Sequence, residues 1–83
     1  MKVAIIGAGN MGGAIARGLA HGHYINAQDI IVSNPSNGKL EALKADYPDI
    51  RVTHNNREAA EDADIVIIAV KPWKVKEVLE PLR

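Results

Sequence analysis

Residues 5–19, IIGAGNMGGAIARGL, place five glycines in fifteen positions directly after an apolar run. Among them, Gly7, Gly9 and Gly12 have the spacing G-x-G-x-x-G. Glycine weakens helices and strands alike, so such a cluster is expected where a backbone turns tightly or approaches another group closely. The stretch therefore predicts a tight turn between a strand and a helix. The glycines are needed there either because a bulky ligand approaches the backbone or because of the turn geometry alone.

The apolar pattern around this turn predicts an α/β fold. Short apolar or β-branched runs, typical of buried parallel strands, occur at residues 3–6, 30–32, 51–53 and 65–70. Segments with helical spacing follow each of them. Strand and helix alternation of this kind predicts a Rossmann-like doubly wound parallel sheet with right-handed crossovers, in the strand order 3-2-1-4 and truncated after the fourth strand and its helix.

The four predicted helices each have an apolar face. In the first, Met11, Ala14, Ile15 and Leu19 are expected on one buried face, with Gly22 as the stop. The second is marked by Leu40, Leu43 and Tyr47, the third covers residues 57–62, and the last has Val75, Val78, Leu79 and Leu82 until Pro81 disturbs it. Trp73 is expected to pack in the last helix.

The composition fits one small domain and excludes several classes of function. Ten basic side chains balance ten acidic ones, and a chain with no basic excess is not expected to bind nucleic acid. The absence of cysteine excludes thiolate metal sites and thiol nucleophiles. The longest apolar run, residues 65–70, is far shorter than the ~20 residues that cross a membrane. Since no signal-peptide pattern follows Met1, we expect a cytoplasmic protein with no membrane partner.

The glycine turn has the sequence context of a dinucleotide site. It follows a predicted strand, opens a predicted helix and lies in a β-α-β unit of about 30 residues. Gly7 would permit the tight turn, Gly9 would let a pyrophosphate approach the backbone, and Gly12 would let the helix pack on the strand. Free N–H groups at the helix N-terminus would hold the phosphates. We interpret the turn as a dinucleotide site, and a glycine turn without a ligand is the alternative.

The side chains after the second strand bear on the choice between NAD and NADP. An NAD site usually has Asp or Glu about 20 residues beyond the glycines, where it binds the ribose 2′-hydroxyl. This region instead holds Ser33 and Asn34, followed by Ser36 and Lys39. Hydroxyl and amide groups with one cation favour NADP(H), and NAD(H) is the less favoured alternative. The loop has no arginine to bind a 2′-phosphate.

The remaining polar features are each open to two explanations. Lys71 follows the fourth strand at the switch point of the predicted sheet, so it would face a cofactor or be solvated. Asn56, preceded by Asn55, would contact a ribose or cap a helix. His21 and His23 have no carboxylate or thiolate partners at ligand spacing, and His54 is isolated, so we expect no metal site.

The whole chain resembles the N-terminal part of pyrroline-5-carboxylate reductase. The resemblance rests on IGAGNMG at 6–12, AIARGL at 14–19, IIVSNPS at 30–36 and ADIVIIAVKP at 63–72. The last motif is the most specific, because related reductases and dehydrogenases share the glycine turn but seldom an AVKP after the fourth strand. The resemblance implies NADP(H)-dependent reduction of 1-pyrroline-5-carboxylate to L-proline, and a parent protein that is a homo-oligomer acting on a small molecule.

The resemblance also implies the cofactor-binding residues. The pyrophosphate would contact Ile6, Gly7, Ala8, Gly9, Asn10 and Met11. Asn34 and Ser36 would bind the 2′-phosphate, and Asn56 would contact the adenosine side. The nicotinamide side would contact Ala69, Val70 and Lys71. Gly12 and Pro72 complete the predicted set. No nucleophile or acid–base group stands out, which fits hydride transfer better than hydrolysis, so no catalytic residue is assigned.

Members of that family are longer than this chain and have a helical C-terminal domain that builds the dimer. We therefore expect residues 1–83 to form an NADP(H)-binding domain without the helical dimerisation domain, and to be inactive alone. Two other functions stay open on the sequence: a dehydrogenase of the 3-hydroxyacid or prephenate type, and a dinucleotide-sensing module without catalysis.

The order 3-2-1-4 leaves the fourth strand at an edge of the sheet. Residues 65–70 contain no charge and no proline, and an edge of this kind is a template for pairing with another chain. We predict self-association through this strand about a two-fold axis. The alternative is a monomer in which the last helix, residues 73–80, covers the edge.

Overall fold

The computed structural model describes residues 1–22 and 24–82 and has the predicted α/β architecture. Its strands are β1 Val3–Ile6, β2 Ile30–Ser33, β3 Arg51–Thr53 and β4 Ile65–Ile68. They form one parallel sheet in the order β3-β2-β1-β4. The fold class and the strand order predicted from the sequence are therefore confirmed.

Four helices connect and flank the strands. They are α1 Asn10–His21, α2 Asn37–Asp46, α3 Asn56–Glu61 and α4 Val75–Leu79, with short 3-10 turns at Ala27–Asp29, Pro72–Lys74 and Glu80–Leu82. Helix α1 ends where the sequence predicts, because Gly22 is its C-cap residue. No helix within the described ranges has the length and apolar character needed to span a membrane.

Strand β1 is the centre of the core. All four of its residues are buried, as expected for a parallel strand with helices on both faces of the sheet. Successive side chains alternate between the faces. Val3 and Ile5 belong to one apolar cluster, which includes Leu40 and Leu43 of α2, while Ile6 packs on the other face with Ala59 of α3.

The buried face of α1 differs from the prediction. Met11 is 67% exposed and Ala14 is also exposed. A Cβ atom on Gly12 would lie 1.7 Å from the carbonyl oxygen of Gly7, so the helix sits directly against the turn that precedes it. Such close packing leaves room only for glycine and alanine on the buried face. A search for large apolar residues at helical spacing does not detect a face of this kind. The buried residues of the helix are Gly12, Gly13, Ala16 and Ala20.

Two expectations for the end of the chain are corrected. Strand β4 ends at Ile68, because the Ala69 N–H makes the last hydrogen bond to β1, to the carbonyl oxygen of Ile6 at 2.9 Å, before the chain leaves the sheet. Trp73 does not pack in the last helix. It is 75% exposed in the 3-10 turn that Pro72 begins, and Val78 of α4 supplies the packing contact instead.

Candidate functional site

The turn between β1 and α1 uses its glycines in two different ways. Gly7 has a φ of +106°, and a Cβ there would lie 2.8 Å from the carbonyl oxygen of Ala69. Gly7 and Gly12 are thus required by the backbone and its close neighbours. A Cβ on Gly9, in contrast, would meet no atom within 4 Å. The backbone at Gly9 is therefore open to a group that approaches it from the solvent side.

The N-terminus of α1 begins at this open backbone. Gly9 is the N-cap residue, no side chain caps the helix, and its first turn has no acidic residue. The first backbone bond that enters the helix joins the Gly13 N–H to the Gly9 carbonyl oxygen at 2.8 Å. The preceding N–H groups have no partner within the helix and lie at the positive end of its dipole. Such an end attracts anions.

The segment after β2 is hydrogen-bonded to the glycine turn. The Gly7 N–H donates to the carbonyl oxygen of Ser33 at 2.7 Å, and the Ala8 N–H donates to Oδ1 of Asn34 at 3.0 Å. Nδ2 of Asn34 donates to Oγ of Ser36 at 3.1 Å and to its carbonyl oxygen at 3.3 Å. One side chain thus joins the turn after β1 to the loop before α2.

The two asparagines before α3 have separate roles. Asn55 is the N-cap residue, and its Oδ1 accepts from the Glu58 N–H at 3.1 Å. Asn56 accepts a short hydrogen bond through its Oδ1 from the hydroxyl of Ser33, which is fully buried. Asn55 is therefore the helix cap that the sequence suggested, and the Asn56 side chain bonds to Ser33 instead of capping α3.

His54 joins the same group of loops from the end of β3. Its Nδ1 lies 2.8 Å from the carbonyl oxygen of Asn34, and the Asn34 N–H donates to the carbonyl oxygen of Thr53 at 3.1 Å. The sequence left His54 isolated because its partner is a backbone group 20 residues away, which no side-chain pattern signals. A useful signal would have been its position, directly after a predicted parallel strand.

These segments surround a cleft of about 670 Å³ at the carboxyl ends of the strands. Its position at the β1/β4 boundary is the switch point where ligands bind in open α/β sheets. The predicted site residues that line it are Ile6, Gly7, Gly9, Asn10, Met11, Asn34, Asn56, Ala69, Val70, Lys71 and Pro72. The lining residues outside the predicted set are Ser33, Pro35, His54, Lys74, Glu77 and Val78.

Three predicted residues lie outside the cleft lining. Ala8 is buried with its N–H bonded to Asn34, and Gly12 is buried against the carbonyl oxygen of Gly7. Ser36 is exposed and is the N-cap residue of α2. Ala8 and Gly12 therefore lie beneath the cleft surface, and Ser36 lies at the start of α2.

The histidines do not form a metal centre in the described part of the chain. Residues 1–22 and 24–82 contain no group of three or more His, Cys, Asp or Glu side chains that could hold a metal ion. His21 is exposed at the end of α1, and His23 lies outside the described residues.

The parallel sheet, the glycine turn at its switch point and the cleft above it define a Rossmann-like α/β domain. Within that class, the chain belongs to the family described as NADP oxidoreductase, coenzyme F420-dependent, whose model matches residues 2–83.

Curated relatives of the chain include several pyrroline-5-carboxylate reductases. The chain is 43% identical over 82 residues to pyrroline-5-carboxylate reductase of Vibrio alginolyticus, covering 99% of this chain and 29% of the relative. It is 40% identical over 83 residues to pyrroline-5-carboxylate reductase 2 of Dictyostelium discoideum, covering 99% of this chain and 27% of the relative. The resemblance predicted from the sequence is therefore confirmed.

Solved structures agree with this assignment. A pyrroline-5-carboxylate reductase from Coxiella burnetii matches with a TM-score of 0.91 and 38% identity, over 98% of this chain and 29% of that one. Plasmodium falciparum pyrroline carboxylate reductase with NADP bound matches with a TM-score of 0.81 and 28% identity, over 99% of this chain and 28% of that one. The chain thus spans less than a third of the length of these relatives.

Proposed function

We propose that residues 1–83 are the NADP(H)-binding domain of an oxidoreductase that reduces 1-pyrroline-5-carboxylate to L-proline. The observation that carries the proposal is the open backbone of Gly9 at the mouth of the switch-point cleft, in a chain similar to pyrroline-5-carboxylate reductases along 99% of its length. The named relative with NADP bound supports the choice of cofactor.

The described residues fit a dinucleotide. The cleft volume of about 670 Å³ lies within the ~300–1,000 Å³ typical of small-molecule sites. The uncapped N-terminus of α1, without an acidic side chain in its first turn, is suited to a pyrophosphate. Lys71 and Lys74 also line the cleft and contribute positive charge to it.

We assign each part of the cofactor to the residues that the resemblance implies. The pyrophosphate would be contacted by Ile6, Gly7, Ala8, Gly9, Asn10 and Met11, with Gly12 completing the turn. Asn34 and Ser36 would bind the 2′-phosphate, and Asn56 the adenosine side. Residues 69–71 would bind the nicotinamide side, and Pro72 follows them in the predicted set.

When bound, NADPH supplies a hydride, and the domain contributes binding and orientation. Ser33 fixes Asn56 through its buried hydroxyl, and Asn34 fixes the spacing between the glycine turn and the α2 loop. No described residue is assigned a proton-transfer role. The substrate is a small molecule, the proposed compartment is the cytoplasm, and the longer protein is proposed to be a homo-oligomer that does not bind nucleic acid.

Cofactor binding is tested by titrating NADPH into the chain and following the fluorescence of Trp73, which lies between the cleft residues Pro72 and Lys74. We expect a saturable change. The variant Gly9→Val should lose it, because the side chain would occupy the open space where the phosphates approach the backbone.

The matched control is Gly18→Val. Gly18 also belongs to the α1 segment, and a Cβ there would likewise meet no atom within 4 Å, but it does not line the cleft. This variant should bind NADPH like the unsubstituted chain. A folded chain with no saturable response to NADPH, or equal binding by Gly9→Val, would overturn the proposal.

A further inference from the structure

The cleft has few positive side chains where the adenosine end of the cofactor would lie. Lys71 and Lys74 come from the segment after β4, at the other end of the cleft. Lys39, the cation that the sequence offered for a 2′-phosphate, lies in α2 and does not line the cleft. Among the lining residues at the ends of β2 and β3, His54 is the one described side chain that can carry a positive charge.

The hydrogen bond of His54 determines which ring nitrogen is available. Nδ1 lies 2.8 Å from the carbonyl oxygen of Asn34, and a carbonyl oxygen only accepts, so Nδ1 carries a proton. Within the described residues, Nε2 has no protein partner. The ring is exposed and lines the cleft beside Asn34 and Pro35. When protonated, Nε2–H becomes a charged donor at this wall.

We propose that His54 is a specificity-determining residue that recognises the 2′-phosphate of NADP(H) through its imidazolium. This inference rests on the proposed function and adds to it the cation that the loop after β2 lacks. Nδ1–H holds the ring to the loop of Asn34, and Nε2–H donates to a phosphate oxygen. A charged donor to a phosphate makes a stronger hydrogen bond than a neutral one.

The charged surroundings of His54 do not supply a substitute cation from the same wall. His54 also lines a shallow groove with Glu41 and Lys44 of α2, where Nζ of Lys44 donates to the carbonyl oxygen of Pro48 at 2.9 Å. The segment after β4 contributes the charged residues Lys71, Lys74 and Glu77 to the cleft lining.

The test compares the dissociation constants of NADPH and NADH, measured by calorimetry. In His54→Gln the preference for NADPH over NADH should fall by about tenfold, the scale of one charged hydrogen bond, while NADH binding stays the same. In His54→Lys the preference should be retained, because lysine restores a positively charged donor at this position. His21→Gln is the control, because His21 is exposed and lies outside the cleft.

The outcomes separate this inference from the proposal on which it rests. If both cofactors bind and His54→Gln keeps the NADPH preference, the assignment of His54 is wrong and the proposed function stands. If His54→Gln weakens NADPH and NADH equally, His54 has only a structural role in the loop, which also overturns the assignment. If the folded, unsubstituted chain binds neither cofactor, both proposals fail together.

Discussion

Oδ1 of Asn34 accepts a hydrogen bond from the backbone N–H of Ala8 at 3.0 Å, so a side chain from the end of β2 is fixed to the glycine turn after β1. Asn34 stands where NAD-binding domains usually have a carboxylate that binds the ribose 2′-hydroxyl. Its other amide atom, Nδ2, donates toward Ser36. The residue therefore presents donors, and no negative charge, to the loop that begins α2.

Asn34→Asp should shift cofactor preference from NADPH toward NADH. The substitution keeps an acceptor for the Ala8 N–H, but it replaces Nδ2 with a charged oxygen that repels a 2′-phosphate and accepts from a ribose hydroxyl. We expect NADPH affinity to fall by about tenfold or more, as for the loss of one charged hydrogen bond, and NADH affinity to rise. Asn26→Asp adds the same charge at an exposed site outside the cleft and is the control. An unchanged affinity ratio in Asn34→Asp would contradict the prediction.

Gly12→Ala should destabilise the domain much more than Gly9→Ala. A Cβ on Gly12 would lie 1.7 Å from the carbonyl oxygen of Gly7, so α1 must move away from the turn. We expect the free energy of unfolding to fall by about 3 kcal/mol, the upper end for an overpacked site. A Cβ on Gly9 meets nothing within 4 Å, so this variant should lose less than about 1 kcal/mol, the scale of replacing an N-cap residue by alanine. Urea denaturation measures both, and equal losses would show that the turn is more compliant than its contacts indicate.

Asn55→Ala should destabilise the domain without affecting the cleft. The Asn55 side chain accepts from the Glu58 N–H at 3.1 Å, and the loss of such a cap costs about 1 kcal/mol. Asn26 precedes the 3-10 turn Ala27–Asp29 but makes no capping hydrogen bond, so Asn26→Ala is the matched control and should cost less than about 0.5 kcal/mol. Thermal or urea unfolding gives the comparison, and cofactor titration of Asn55→Ala should be unchanged. Equal stability of the two variants would rule out a contribution from the cap.

The strands, the glycine turn and the sheet order could be predicted because each depends on residues that are close together in the sequence. Strand β1 is apolar at every position, and a strand followed by G-x-G-x-x-G has one common structural context, so the sheet order was predicted correctly, while the dinucleotide site near Gly9 stays a prediction. The errors at Met11 and Trp73 have a different origin. How closely α1 approaches β1, and which side of a 3-10 turn faces solvent, depend on tertiary contacts. The contact of His54 with a distant backbone oxygen is signalled by no side-chain pattern, only by the position of His54 directly after a predicted strand.

A chimera tests the proposed reaction as distinct from cofactor binding. We expect residues 1–83 alone to show no oxidation of NADPH with 1-pyrroline-5-carboxylate, because they span only 29% of the Vibrio alginolyticus relative. Joined to the remaining part of that reductase, the same residues should support turnover, followed as the loss of NADPH absorbance. The Gly9→Val chimera is the negative control. Turnover by residues 1–83 alone would show that the reaction does not need the rest of the relative, and a folded chimera that binds NADPH but is inactive would count against the proposed substrate.

The outer edge of β4 is the last feature with a testable consequence. In the order β3-β2-β1-β4, no strand of the described chain pairs with this edge. Ile65 and Val66 are 43% and 39% exposed, and residues 65–70 have neither charge nor proline. The opposite edge strand, β3, is only three residues long and begins with the exposed charge of Arg51, a common protection of natural sheet edges. The two edges therefore differ in their tendency to pair.

Self-association through β4 should follow from this difference. Pairing of β4 with its copy about a two-fold axis would satisfy the free backbone groups on both edges and bury the exposed parts of Ile65 and Val66. Sedimentation velocity over a range of concentrations should show a dimer whose population rises with concentration, and Val66→Lys should abolish it by placing a charge at the edge. Tyr24→Lys removes an aromatic side chain that is 81% exposed and lies outside the strands, so it should dimerise like the unsubstituted chain. If all three proteins are monomers and the amides of β4 exchange slowly with solvent, then α4 and the turns beside it protect the edge, and the prediction is wrong.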